Sequence, residues 1–375
     1  MFFLLYGFRQ PKDANLGVRP GRAVSLDSNK STAQVVRTGS APQQSGLGRL
    51  PSLRPATSAT SAAARPAAAG LSRAERRRGL LPPDSLVTFA DERKAAAIDD
   101  VFAALDRELI GLVPVKKQVE EIGSLLLVDR VRQRFGLMAP RPNLHMCFTG
   151  APGTGKTTVG LLMADLLHQL GYLERGQLVH AMRDDLVGEY VGQTAPKTRR
   201  VVERAMGGVL FIDEASALYQ PDNSKDFGME SIEILLQVME NQRDEFIVIL
   251  AGYQDRMDTF FESNPGMRSR IAHHLDFADY RLDELVAIGR LMLERASYYL
   301  SGAAELAFRR YLTIRMQQPQ FANARSVRNE LERARLRHAH RLADDRDRRW
   351  GRDDLMRIEP EDILVGDALS ASAIT

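Results

Sequence analysis

Between residues 84 and 278 the chain alternates short, continuously apolar runs with longer stretches in which apolar residues recur every three to four positions. The short runs span 144–149, 177–182, 208–213, 245–251 and 271–277, and each ends in a polar residue or motif. Such runs predict buried strands, and the helical periodicity between them predicts a parallel sheet covered on both faces. After the first run, Val159, Leu162, Met163, Leu166 and Leu170 fall on one helical face. From about 279 the pattern is helical. Leu282, Leu285, Ile288, Leu291 and Met292 share a face, and a later helix runs through Val327, Leu331 and Leu336. The expectation is an α/β core over 84–278, a smaller helical lid over 279–375, and an N-terminal segment, 1–83, whose composition buries too little surface to fold.

The polar residues at the strand ends carry the chemistry, because open α/β sheets bind ligands there. Gly150-Ala151-Pro152-Gly153-Thr154-Gly155-Lys156-Thr157-Thr158 follows the first run and precedes a helix. The spacing fits a phosphate loop, in which glycines admit backbone N–H groups to a triphosphate, Lys156 neutralises β/γ charge and Thr157 holds Mg²⁺. The third run ends in Asp213-Glu214. Asp213 is placed to hold the water shell of Mg²⁺ opposite Thr157, and Glu214 to orient and deprotonate an attacking water. This pair narrows the phosphate-loop classes to ATP hydrolysis. Asn264-Pro-Gly-Met-Arg268-Ser-Arg270 precedes the last run and offers two cations for the γ-phosphate, Arg270 first and Arg268 second; the alternative is a surface arginine near a turn. Arg325, in the first turn of a lid helix, is the better candidate to reach the phosphates from the lid, with Arg328 one turn later read as a face charge.

Other features concern what such a motor acts upon. Gly188-Glu-Tyr190-Val191-Gly192 presents an aromatic flanked by glycines, suited to gripping a polypeptide in a central channel or, alternatively, to packing within its own loop. Gln220–Asp226 reads as a second ring of contacts or as a solvated connector. Leu109-Ile110-Gly111-Leu112 can form an apolar adenine pocket.

Charge changes the picture at one end. Residues 1–83 hold thirteen Lys/Arg and three acids, a charge of +10, which leaves −7 on the rest of a chain whose net charge is +3. An acidic body argues against nucleic-acid binding, which needs clustered Lys/Arg. The basic, Ser/Ala/Pro-rich leader has the composition of an organelle transit peptide plus linker, with an ordinary tail as the alternative. Its Arg73, Arg76, Arg77, Arg78 cluster reads as part of a processing region. The longest apolar runs fall far short of the ~18 residues of a membrane span. The one cysteine, Cys147, lies within a predicted strand, which excludes an intrachain disulfide.

These motifs resemble the AAA+ ATPases, and more narrowly the red-type rubisco activases called CbbX, over roughly 86–365. The narrower likeness rests on Leu109-Ile-Gly-Leu-Val-Pro-Val-Lys-Lys, on Gly188-Glu-Tyr-Val-Gly-Gln-Thr-Ala-Pro-Lys-Thr, on 226–241 and on 260–274. The resemblance implies a hexameric ring, homomeric or shared with a paralogue. It implies that ATP drives transient pulling on the C-terminal tail of the rubisco large subunit, releasing inhibitory sugar phosphates. It also implies response to ribulose 1,5-bisphosphate as an allosteric ligand. Bacterial members lack the long leader, so the resemblance implies a plastid-imported form acting in the stroma of a red-lineage alga, with a cytoplasmic location as the alternative. One departure stands out. Many AAA+ proteins end the fourth strand in an asparagine that positions water, whereas this chain reads Ala251-Gly252-Tyr253. Alternatives are a remodeller of another client, as in the sporulation stage V protein K group, and an ATP-binding regulatory subunit of a mixed ring.

Overall fold

The computed structural model describes residues 80–138, 140–220, 226–344 and 347–363. The predicted transit segment, 1–83, therefore lies almost wholly outside the described residues, as does most of the Gln220–Asp226 loop. At its start the described chain is tied down, the Leu81 amide donating to Arg134 O at 2.7 Å.

Five parallel strands form the core sheet: β1 (Met146–Gly150), β2 (Leu178–Ala181), β3 (Val209–Ile212), β4 (Ile247–Gly252) and β5 (His273–Phe277), in the order β2-β3-β4-β1-β5. All five predicted runs are strands, each starting one or two residues late, with β1 and β4 running one residue past the predicted end. The central strands are apolar because helices cover both faces; β3 and β4 are buried at every position. One face packs Phe148, Phe211 and Phe277 with the helix Lys156–Gln169, whose Val159, Leu162, Met163 and Leu166 are all buried, as is its C-cap Leu170. The other packs Cys147, Leu210, Ile212 and Leu250 against the helices Thr194–Ala205 and Gly228–Asn241. Burial, aided by the Asp258 charge, pushes the Cys147 thiol up to about 12, so it is inert in the core. No described helix is long and apolar enough to cross a membrane.

Beyond the sheet lie the helices Leu282–Arg295, Gly302–Arg315 and Asn323–Asp344. A two-stranded parallel sheet not anticipated from the sequence, β6 (Tyr299–Leu300) with β7 (Arg357–Ile358), closes this lid. Leu336 was expected on the inner face of the last long helix and is instead 73% exposed. The buried face runs Val327, Leu331, Ala334 and His338, spacings of four, three and four, and a residue five beyond Leu331 turns about 140° away from it.

One buried titratable group sits under the sheet. His145 accepts from the Val248 amide at Nδ1, 3.0 Å, and its Nε2 faces Met239 O at 3.3 Å, which makes it the neutral Nε2–H tautomer. Burial lowers its pKa to about 4, against the opposing pull of the Met239 carbonyl. The unfolded chain, with an ordinary histidine near 6.5, therefore takes up the proton first as pH falls. Stability is full above that value and drains away from there toward the folded value. The expected loss between pH 7.5 and 5 is about 2 kcal/mol, measured by urea denaturation. His145→Gln, whose amide can satisfy both partners, should flatten that dependence; an unchanged slope would assign it elsewhere.

Candidate functional site

The loop between β1 and the helix Lys156–Gln169 turns through three glycines with positive φ, Gly150 (142°), Gly153 (74°) and Gly155 (101°). Two of them also have no room for a side chain. A Cβ on Gly150 would lie 2.3 Å from Phe277 O, and one on Gly153 would lie 2.2 Å from Ala322 O. Gly155 caps the helix without a side-chain bond, and Val159 N is the first helix amide bonded to it, at 3.0 Å. The amides of Lys156, Thr157 and Thr158 thus make no backbone bond among the described residues. Uncapped N–H groups at the positive end of a 14-residue helix form an anion cradle, so a triphosphate fits the donors present.

Lys156 folds back over this loop, donating to Gly150 O and Ala151 O, both at 2.8 Å. Burial, with the Arg325 charge, holds its pKa below the ordinary lysine value, while Asp213 and Asp279 pull it back up. The charges of Arg325 and Asp213 thus both act on this ammonium, in opposite directions. Thr154 is buried and bonds Ala151 O at 2.9 Å; Thr157 is exposed beside it. Pro152 O faces the Asn323 amide at 3.5 Å.

Asp213 stands at the end of β3, with Glu214 immediately after it in the left-handed region, φ 51°. Burial alone raises the Asp213 pKa. The bond and charge of His180, whose Nε2 lies 3.5 Å away, the Glu214 amide at 3.1 Å and Lys156 outweigh burial and leave it lowered. The carboxylate is therefore ionised and suited to a cation. The αL turn separates the two carboxyl groups: Glu214 is exposed and lines a cleft of about 480 Å³ with Ser216, Tyr219, Tyr253, Arg256 and Thr259. Tyr253 follows β4, beside the strands that carry Asp213 and the phosphate loop, and stacks under Arg256 at 5.2 Å.

The lid is fastened directly to this loop. Asn323, fully buried at φ 45°, donates to Asp279 Oδ1 at 2.7 Å and accepts from Tyr280 N at 3.0 Å. Ala324 N donates to Gly153 O at 3.2 Å, and Tyr280 Oη to Thr154 O at 3.0 Å. Burial and then the Glu284 charge push the Tyr280 phenol up to about 12, so it remains a donor. Arg325 is exposed in the first turn of the helix that Asn323 opens, as the sequence suggested; Arg328 is exposed further along. On the opposite side, Leu109 and Leu112 are buried and a Cβ on Gly155 would sit 3.3 Å and 3.6 Å from them, so the predicted apolar segment does border the loop. Gly111 (φ 65°) passes so close to Glu284 that a Cβ would lie 2.3 Å from its Oε1.

Two candidates lie away from the loop. Arg268 and Arg270 close the helix Pro265–Arg270, which enters β5 at its N-terminal end, whereas the loop leaves the C-terminal end of the parallel neighbour β1. Arg270 is held by Gly266 O at 2.9 Å and Glu240 at 3.1 Å; Arg268 is exposed. Tyr190 and Val191 are 67% and 84% exposed at the tip of their loop. Its base is tied by Gly188 N to Thr194 Oγ1 at 3.0 Å and by Lys197 to Val187 O at 3.0 Å.

The residues that sequence reasoning missed are His180, Asp279, Tyr280 and Asn323. Asp279 and Tyr280 lie just past the fifth run, where a ligand-facing residue could have been sought. His180 and Asn323 carry no local signal, since their partners lie 33 and 44 residues away.

Comparison with known proteins agrees with this architecture. Residues 146–278 match the ATPase family associated with various cellular activities (AAA), and residues 281–371 match the AAA lid domain. The chain is 57% identical over 286 residues to "Protein CbxX, chromosomal" of Cupriavidus necator, covering 76% of this chain and 90% of that protein. It is 55% identical over 281 residues to "Protein CfxQ homolog" of Guillardia theta, covering 75% and 96%. It is 56% identical over 278 residues to "Ribulose bisphosphate carboxylase/oxygenase activase, chloroplastic" of Cyanidioschyzon merolae, covering 74% and 95%. The chain is an ATPase of the AAA family, with the AAA domain followed by its lid, and it belongs to the CbxX/CfxQ (CbbX) subfamily.

Proposed function

We propose that this ATPase is a rubisco activase: it remodels rubisco by pulling on the C-terminal tail of the large subunit, freeing inhibitory sugar phosphates so that carboxylation resumes. The observation that carries the reading is Tyr190 with Val191, an exposed apolar pair on a glycine-flanked loop whose root lies one strand from Asp213-Glu214. It is supported by likeness to a protein named for rubisco activation in a chloroplast. The working form is a hexamer, of this chain alone or with a paralogue, and ribulose 1,5-bisphosphate is an allosteric ligand. The basic leader addresses the protein to the plastid stroma.

In the hydrolytic step the uncapped amides and Lys156 hold the β- and γ-phosphates, and Arg325 approaches them from the lid. Glu214 accepts a proton from water as its oxygen attacks the γ-phosphorus and the bond to the β-bridging oxygen breaks, giving ADP and phosphate. Thr157 and Asp213 are the residues to hold Mg²⁺, which when bound neutralises charge on the phosphate oxygens. Leu109, Ile110, Gly111 and Leu112 flank the adenine. Arg268 and Arg270 serve the site of an adjacent subunit, since within one chain they lie across the sheet.

The test is carboxylation by inhibitor-locked red-type rubisco after adding the protein with ATP, with and without ribulose 1,5-bisphosphate. Recovery that depends on ATP is expected; vigorous hydrolysis with no recovery would point to another client. Tyr190→Ala should leave basal hydrolysis within about threefold of the parent and reduce reactivation at least tenfold. Its side chain is two-thirds exposed, so truncation removes little packing. Full reactivation by this variant would remove the loop from the mechanism.

A further inference from the structure

One partly buried ion pair, Arg183 with Asp226, stands between the hydrolytic strand and the exposed loop. Arg183 opens the helix Arg183–Leu186, which leads directly into the loop bearing Tyr190. Its guanidinium donates to Ala217 O at 2.6 Å and forms an ion pair with Asp226, whose side chain is 5% exposed. Ala217 lies in the 3₁₀ turn Ala215–Leu218, which Glu214 itself caps, and the Ala217 amide donates back to Glu214 O at 2.8 Å. Asp226 roots the helix Gly228–Asn241. One side chain therefore fastens two segments, 34 and 43 residues distant in sequence, to the start of the loop.

The packing leaves this junction no slack. A Cβ on Gly228 would fall 2.0 Å from Leu218 O, and 2.9 Å from both Arg183 Nη1 and Asp226 Oδ2. Beneath it, Thr198 Oγ1 bonds Leu186 O at 2.9 Å and Ser231 Oγ at 3.1 Å, so the same two helices are locked a second time. A packed polar junction of this kind transmits displacement instead of absorbing it, because its members are rigidly spaced and its charges are costly to separate when buried.

We propose that Arg183, with Asp226, is the positioning element that couples the nucleotide state sensed at Glu214 to the posture of the Tyr190 loop. Arg183 touches neither nucleotide nor polypeptide client. A shift of the turn after Glu214 carries Ala217 O, and with it the guanidinium and the start of the loop. The inference rests on the reading of Tyr190 as the working loop but not on the identity of the client.

The buried, high-pKa Cys147 leaves the full chain open to single-site labelling. An environment-sensitive fluorophore on Glu189→Cys, an exposed position beside Tyr190, reports loop posture. The reference is the difference in emission between ATP and ADP in a Glu214→Gln background. Adding Arg183→Ala is expected to cut that difference at least fivefold; with native Glu214 the same change should leave ATP hydrolysis within about threefold. Asp226→Asn, which keeps the shape of the junction and removes its charge, should cut it at least threefold and serves if Arg183→Ala fails to fold. A full nucleotide-dependent difference in a folded Arg183→Ala or Asp226→Asn protein overturns the proposal. Loss of hydrolysis in step with loss of the signal also overturns it, since that marks a merely structural pair. A coupled loop with no rubisco reactivation would leave this inference standing and refute only the client.

Discussion

Glu214→Gln is expected to lower ATP hydrolysis by ~10²–10⁴-fold, the range removed with a general base, while ATP binding persists. The proposed binding elements lie elsewhere: the uncapped amides belong to the helix Lys156–Gln169, and the carboxylate proposed to hold the cation is Asp213. Glu214 makes no side-chain bond to them, and its αL backbone turns it toward the cleft shared with Tyr253 and Arg256. Glutamine keeps the volume and the hydrogen-bonding oxygen and removes the basicity. Single-turnover hydrolysis and nucleotide retention after gel filtration separate the two effects: slow turnover with retained ATP is the expected result. Turnover within threefold of the parent would transfer the role of base to another group lining the cleft.

The cleft also shows how far sequence alone could go. Continuous apolar runs located all five strands, because central parallel strands are covered on both faces, and the 3.6-residue period located the buried face of the helix after the phosphate loop; neither needs knowledge of the partner. The loop and the acidic pair were legible for a related reason: their spacing is contiguous. What failed or stayed hidden depended on distant partners. Leu336 has the right residue type for a core position and the wrong angle, and only the run Val327, Leu331, Ala334, His338 reveals it. Asn323 locks the lid to Asp279 and Tyr280, a contact across 43 and 44 residues that no local pattern announces. Arg183 carries no local signal, since its partners Ala217 and Asp226 lie 34 and 43 residues away. The water-positioning role left open at Ala251-Gly252-Tyr253 has a physical neighbourhood, since Tyr253 lines the same cleft as Glu214.

Mixing two inactive variants is expected to restore hydrolysis, because on the proposed reading the arginines of one chain serve the phosphate loop of an adjacent one. Arg268 and Arg270 precede β5 at the end where β1 begins, and the loop leaves β1 at the other; five residues of strand separate those edges by roughly 16 Å. No side-chain rotation spans that distance through a packed sheet. Loss of an arginine that stabilises the γ-phosphate is worth ~10³-fold or more. Arg268 is exposed and available to an adjacent copy as it stands, whereas Arg270 must leave Glu240 and Gly266 O to reach one. Replacing both by alanine should abolish hydrolysis in homogeneous protein, as should Lys156→Ala, which removes the phosphate-binding cation. In a mixture, an arginine-deficient subunit with an intact loop can lie against a Lys156→Ala subunit that still carries both arginines, so hydrolysis should rise at least tenfold above either variant alone. Single replacements in the same assay rank the pair: the arginine that acts at the neighbouring site is the one whose alanine form is rescued by mixing, while one that only braces Glu240 and the turn is not. Failure of every mixture to exceed its components would place the activating cation within the chain, and Arg325, already beside Lys156 in the electrostatics of the loop, would inherit the role.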